Sequence, residues 1–232
     1  MPLIHDTACF SMKAIRERAK RYGFSDPLPV ELFLWDCEIA AQLQSESEEF
    51  ILKGGAATQL HLPVEFQRGS VDIDLVCPFN EQQIAEALFR IRERTPDITF
   101  ERHLPKEPKR KISMVTYIAK MPALICPPGR TSCEIKIDFL LEDLELPTAT
   151  LIGVETFAVN VKKLKCYSVS SLLGDKLLTL AKNTIGIEEL TDIPKQIYDV
   201  SVLSEKHAIT PDRFSEIIDT IEKLGMGAYH AS

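Results

Sequence analysis

The stretch FILKGGAATQLHLPVEFQRGSVDIDLVC, residues 50–77, decides the fold. It opens with an apolar run, Phe50-Ile51-Leu52, that leads through Lys53 into a glycine pair, Gly54-Gly55. It closes with Ser70-Val71-Asp72-Ile73-Asp74-Leu75-Val76, whose alternation predicts a strand. On that strand Ser70, Asp72 and Asp74 share one face, and Val71, Ile73 and Leu75 share the other. Alternate side chains sit roughly 6–7 Å apart. Two carboxylates held at that spacing repel each other unless a cation lies between them. Hard divalent ions such as Mg²⁺ (or Mn²⁺) take carboxylate oxygens. The pair therefore predicts a metal site, with the glycine pair as a close-approach backbone beside it.

Between the two runs, Gly55 onward opens a short helix, AATQLHL, that Pro63 ends. A strand feeding a glycine pair at a helix N-terminus presents free backbone N–H groups to an anion, which suits a nucleoside triphosphate. The pattern is neither a Walker A loop nor a Gly-x-Gly-x-x-Gly fingerprint. His61, a lone histidine near the helix end, reads as a surface or capping residue. Isolated Asp-x-Asp pairs are also common as solvated residues at strand ends, so the argument needs a third acid.

Downstream, Asn80 is a candidate cap for a helix over 81–94, and strand-like runs follow at Ile98–Arg102, Lys111–Ala119 and Glu134–Leu141. A loop with Pro122, Pro127, Pro128 and Gly129 joins the last two as a hairpin. In the third run Glu134, Lys136 and Asp138 alternate with Ile135, Ile137 and Phe139, so Lys136 and Asp138 share a face. Asp138 is a candidate third carboxylate; an edge strand with a solvated polar face is the competing reading. Residues 102–111 carry five basic side chains against Glu107. They form either a solvated loop or a guide for a polyanion.

Taken together, LKGGAATQLHL, RGSVDIDLV and IKIDF resemble the DNA polymerase β-like nucleotidyltransferase superfamily and, within it, the AbiEii/AbiGii toxin family. Lys53 before the glycines, and Arg68 and Ser70 before the first aspartate, belong to the match. Ala56 departs from the usual Thr, and Gly69 from the usual aromatic residue. The resemblance implies that Asp72, Asp74 and Asp138 hold Mg²⁺ (or Mn²⁺) as catalytic ligands. It also implies that Gly54, Gly55, Lys53 and Ser70 meet the NTP. Tyr167-Ser168-Val169-Ser170-Ser171-Leu172-Leu173-Gly174-Asp175-Lys176 resembles a family helix in which Lys176 would contact the phosphates. On residues alone, Ser170 or Ser171 caps that helix, Leu173, Leu177 and Leu180 form its apolar stripe, and Lys176 stands at the margin. A boundary lysine laying its stem along the core is the rival reading. Lys195-Gln196-Ile197-Tyr198-Asp199 is similar to a family Arg-Asp-x-Tyr-Asp segment, with Lys for Arg and Gln for the first Asp. A structural role for Asp199 is at least as well supported as a chemical one.

The whole chain has 232 residues, 45% hydrophobic and 26% charged, with net charge −7. That balance predicts a soluble globular protein and argues against wholesale coating of nucleic acid. No apolar run reaches the roughly 20 residues that span a bilayer, so no membrane partner is expected. The N-terminus lacks a secretory pattern, and the six cysteines form no Cys-x-x-Cys, so reduced thiols in a cytoplasmic protein are expected. Before the deciding stretch, residues 30–44 read as an amphipathic helix with Trp35 off its stripe, covered by another helix. The expected architecture is α/β (α+β). An extension, 1–29, precedes a nucleotidyltransferase core with a mixed sheet, 30–158, and a mostly helical domain, 159–232, follows. The implied activity is transfer of a nucleoside monophosphate to an RNA (tRNA among the candidates) or protein acceptor, by a toxin whose antitoxin is a DNA-binding protein. Two rivals stand: a small-molecule nucleotidyltransferase of the antibiotic-modifying kind, and a catalytically inert binding module.

Overall fold

In the computed structural model, which describes residues 3–104, 113–125, 132–142, 145–181 and 193–230, one mixed sheet runs through the chain. Its strands are β1 (Ile51–Lys53), β2 (Asp72–Cys77), β3 (Thr99–His103), β4 (Met114–Pro122), β5 (Ser132–Leu141), β6 (Thr148–Glu155) and β7 (Asn160–Tyr167). Among the described residues they form a seven-stranded sheet in the order β3-β4-β5-β2-β1-β7-β6. β2 runs parallel to β5 and β1 parallel to β7, and the other neighbours are antiparallel. The helices are α1 (Met12–Arg21), α2 (Leu28–Glu46), α3 (Gly54–His61), α4 (Glu81–Arg94), α5 (Val169–Leu180), α6 (Ile193–Lys206) and α7 (Pro211–His230).

At α1, α4 and α5 a side chain satisfies one of the first N–H groups of the helix. Ser11 accepts from Ala14 at the head of α1. Asn80 and Gln83 form a capping box at α4. At α5 the cap is Ser168, whose Oγ accepts from Ser171 N at 3.2 Å. The sequence pointed to Ser170 or Ser171, but both lie inside the helix. Ser170 donates to Glu216, and Ser171 donates to the Pro147 carbonyl.

The core is a single apolar cluster. Leu52, Ile73, Leu75, Ile137 and Phe139 line one face of the sheet's centre and are fully buried. Helix α2 packs along β7, β2 and β5 and touches α4. It is enclosed on almost every side, which is why Glu31, Asp36, Glu38 and Gln42 are buried as well as Phe33 and Leu34. Glu31 accepts from the backbone of Leu124 and Ile125, and Glu38 from that of Ile4 and His5. Phe10 meets Trp35 at 4.6 Å, so the cover expected over Trp35 comes from the segment before α1. Residues 3–29 are stitched in further by Ile15 and Ala19 in the core and by Arg18 donating to the Thr156 carbonyl.

The division expected after residue 158 falls in the turn between β6 and β7. The sheet continues to Tyr167, and helices take over only at Val169. No helix among the described residues is long and apolar enough to cross a membrane. Cys9, Cys37, Cys77, Cys133 and Cys166 are free thiols. Cys126, most of the basic run 102–111, part of the Pro-rich hairpin loop and the segment around Gly186 lie outside the described residues.

Candidate active site

Strand register brings the predicted acids together. Asp74 pairs across β1–β2 with Lys53 and across β2–β5 with Asp138. Asp72 pairs with Lys136 in the same β2–β5 ladder. Because side chains alternate, Lys53, Asp72, Asp74, Lys136 and Asp138 share the face opposite Leu52, Ile73, Leu75, Ile137 and Phe139. One face of these strands is thus core, and the other carries charge.

The glycine pair closes against this face. Gly54 has φ +67°, a left-handed conformation that glycine adopts without strain. A Cβ built there would stand 2.0 Å from Asp74 Oδ2, so only a bare Cα lets strand β1 turn into α3 beside that carboxylate. At Gly55 a Cβ would lie 3.0 Å from Ser70 Oγ and 3.5 Å from Arg68 Nη2. Ser70 and Arg68 therefore flank the start of α3, where backbone N–H groups lack helical partners.

The electrostatics are those of crowded carboxylates. Burial raises the pKa of Asp74 to about 6; Lys53 pulls it down, while Asp138, Asp175 and Asp72 push it up. Burial works against the charge on Lys53, but Asp175 and Asp74 outweigh it and hold the lysine above its ordinary value. Lys53 Nζ donates to Asp175 Oδ1 at 3.1 Å, tying the end of β1 to α5. Asp138 is held by two donors: Thr116 Oγ1 at 2.6 Å to Oδ1 and Lys136 Nζ at 2.5 Å to Oδ2. Burial disfavours the Lys136 charge, but Asp138, Asp72 and Asp74 raise its pKa overall.

The donor set is all carboxylate, which suits a hard divalent ion, and the bare Gly54 lets the backbone lie directly against the Asp74 carboxylate. In this arrangement no three carboxylate, imidazole or thiol groups among the described residues converge on one ion position. Asp138 is engaged by Lys136 and Thr116 instead.

Lys176 sits elsewhere than the margin of α5. It is 3% exposed, while Leu177, placed by periodicity on the apolar stripe, is 39% exposed. The helix is rotated because α7 crosses it tightly at Gly174, where a Cβ would lie 2.7 Å from Thr220 Cγ2. Lys176 Nζ donates to Asp199 Oδ2 at 2.7 Å and to Gln196 Oε1 at 2.8 Å. Arg68 forks onto the same carboxylate, Nε to Oδ1 at 2.9 Å and Nη2 to Oδ2 at 2.6 Å. Asp199 is fully buried. Lys176 is thus linked toward the glycine turn through Asp199 and Arg68.

Several participants escaped the sequence reading. Thr116 gave no signal beyond its place on a strand. Asp175 was visible only as the neighbour of Lys176. Asp36 lies on α2 with both carboxylate oxygens buried and without a hydrogen-bond partner among the described residues; burial first, then Asp72 and Asp74, raise its pKa well above normal. His61 is a tie, its Nε2 2.8 Å from the Tyr167 carbonyl.

Residues 39–224 match the family described as nucleotidyl transferase AbiEii toxin, type IV TA system. An antigenic nucleotidyltransferase-like protein from Paracoccidioides brasiliensis superposes with TM-score 0.52 at 18% identity, over 87% of this chain and 93% of that one. MenT4, a nucleotidyltransferase toxin from Mycobacterium tuberculosis, gives TM-score 0.46 at 16% identity, over 71% and 57%. No curated protein sequence matches the chain.

Proposed function

Because this chain belongs to the AbiEii nucleotidyltransferase toxin family of type IV toxin–antitoxin systems, we propose that it transfers a nucleoside monophosphate from an NTP to an RNA or protein acceptor. The observation that carries this reading is the register Lys53–Asp74–Asp138 across three neighbouring strands, with Gly54 pressed against Asp74. Asp72, Asp74 and Asp138 are the residues that would hold Mg²⁺ (or Mn²⁺). When bound there, a divalent ion would lower the pKa of an acceptor hydroxyl and neutralise charge on the triphosphate and the leaving pyrophosphate.

The chain's own groups then position the substrate, which in phosphoryl transfer supplies most of the acceleration. The first N–H groups of α3, at Gly54 and Gly55, have no side-chain cap and can serve as an anion seat. Ser70 Oγ beside Gly55 can donate to the same phosphates. Lys53, held by Asp175, sets a fixed positive charge next to Asp74. Arg68 is oriented by Asp199, and Asp199 by Lys176, so in this reading Lys176 acts as a positioning residue. The partner is an antitoxin, encoded with the toxin and binding DNA.

The test is incubation with each labelled NTP, divalent ion and cell extract, followed by separation of RNA, protein and small molecules. Label in RNA or protein supports the reading. Label confined to a small-molecule fraction favours an antibiotic-type acceptor, and no label in any fraction favours the inert binding module.

A further inference from the structure

Asp138 is fully engaged although the face around it carries an excess of carboxylates. Lys136 Nζ donates to its Oδ2 at 2.5 Å and Thr116 Oγ1 to its Oδ1 at 2.6 Å. Lys136 stands two residues before Asp138 on β5 and pairs in register with Asp72 on β2. The ammonium that holds Asp138 thereby also lies within the field of Asp72. Its side chain is 45% exposed, whereas that of Asp138 is 14% exposed, so the lysine reaches in from solvent and has room to leave. Lysine is suited to this: it is a compact charge with three donors on a flexible stem, without the planar fork that would lock arginine onto the carboxylate. A partly exposed pair of this kind is weak, and a divalent ion carries twice the charge.

We propose that Lys136 is a built-in counter-ion of the metal site, occupying Asp138 in the metal-free protein and displaced when a divalent cation binds. This rests on the reading that Asp72, Asp74 and Asp138 are metal ligands. It sets a threshold, because the cation must compete with an ammonium before the three carboxylates can share it. The displaced ammonium then faces whatever anion the ion carries.

The test uses the full chain without nucleotide at fixed pH. Free Mn²⁺ is followed by electron paramagnetic resonance as wild type, Lys136→Gln and Lys136→Arg are titrated, and thermal unfolding confirms that each variant is folded. Lys136→Gln is expected to bind Mn²⁺ about tenfold tighter or more, since a positive charge a few Å from the ion has been removed. Lys136→Arg should bind no tighter than wild type. In parallel, the Lys136 ammonium resonance of the wild type should shift or vanish on saturation with Mg²⁺. Equal Mn²⁺ affinity of wild type and Lys136→Gln, or an ammonium signal unmoved at saturating Mg²⁺, would overturn the proposal while leaving the metal reading intact. Absence of Mn²⁺ binding by all three proteins would remove the metal reading and this proposal with it.

Discussion

Two ionic clusters lie side by side in this molecule and behave as opposites. At the first, Asp72, Asp74 and Asp138 crowd one sheet face with Lys136 bound to one of them. At the second, Lys176 and Arg68 close on Asp199, which is fully buried and accepts from both. The second is satisfied: two cations, one carboxylate, geometry good enough to repay desolvation. The first is left with surplus negative charge, and its central acid has a pKa raised to about 6. A satisfied buried network holds elements together; one with surplus negative charge beside solvent is where a cation supplies what is missing. The contrast separates residues that fix the cleft from residues that act in it.

The largest expected effect comes from breaking the satisfied cluster. Asp199→Ala leaves the 3%-exposed Lys176 ammonium buried without its carboxylate. It should cost about 3–5 kcal/mol in urea unfolding. Lys176→Ala should destabilise as well, and Lys176→Met combined with Asp199→Leu should recover much of the loss. An Asp199→Ala variant as stable as wild type would show that the cluster holds nothing.

Next is Gly54→Ala, which adds a Cβ where Asp74 Oδ2 lies 2.0 Å away and forces a non-glycine residue to φ +67°. The strain should cost roughly 1–3 kcal/mol and abolish metal–nucleotide binding, read by calorimetry. Retained binding would mean that the turn does not define the seat.

A subtler effect is pH dependence at the carboxylate-rich cluster. Asp74 titrates at about 6 in the fold against 3.8 for the free group, chiefly through burial. The protonated form is thus favoured by folding. Its contribution is fully present below pH 3.8 and is lost as pH rises through about 6. Asp36, with its pKa raised by burial, acts with the same sign. The stability advantage of Asp74→Asn over wild type, measured without metal, should therefore grow between about pH 4 and 6 and then level off. A difference that is flat with pH would contradict the crowding.

The smallest effect sharpens the comparison within one helix. Leu177, 39% exposed, neighbours Lys176 yet belongs to neither cluster. Leu177→Gln should change stability by no more than about 0.5 kcal/mol, the reverse of what helical periodicity alone suggests.

The fold and the acids were legible because alternation and glycine placement leave a direct trace in the chain. Asp72, Asp74 and Asp138 are dictated by period two within each strand. Neither the register that sets Asp74 against both Lys53 and Asp138 nor the Thr116 bond to Asp138 is visible in a strand read alone. The misplacement of Lys176 has one cause. Periodicity found a leucine stripe, but the tight crossing at Gly174 and Thr220 turned α5, and a lysine can be buried when a carboxylate from another helix meets it. Val159–Tyr167, with Lys162, Lys163 and Lys165, reads as a strand or edge and is β7, whereas β6 was missed because it is an uncharged edge over Thr148–Val154 whose place in the sheet depends on pairing with β7.

The central claim is that the acid face, and not the buried cluster, binds metal and nucleotide. Isothermal titration of wild type and Asp74→Asn with each NTP in Mg²⁺ tests it most directly, with circular dichroism confirming an unchanged fold. Saturable binding by the wild type to at least one NTP, absent in Asp74→Asn, is the predicted result. Equal metal-dependent binding by the two proteins would contradict the account.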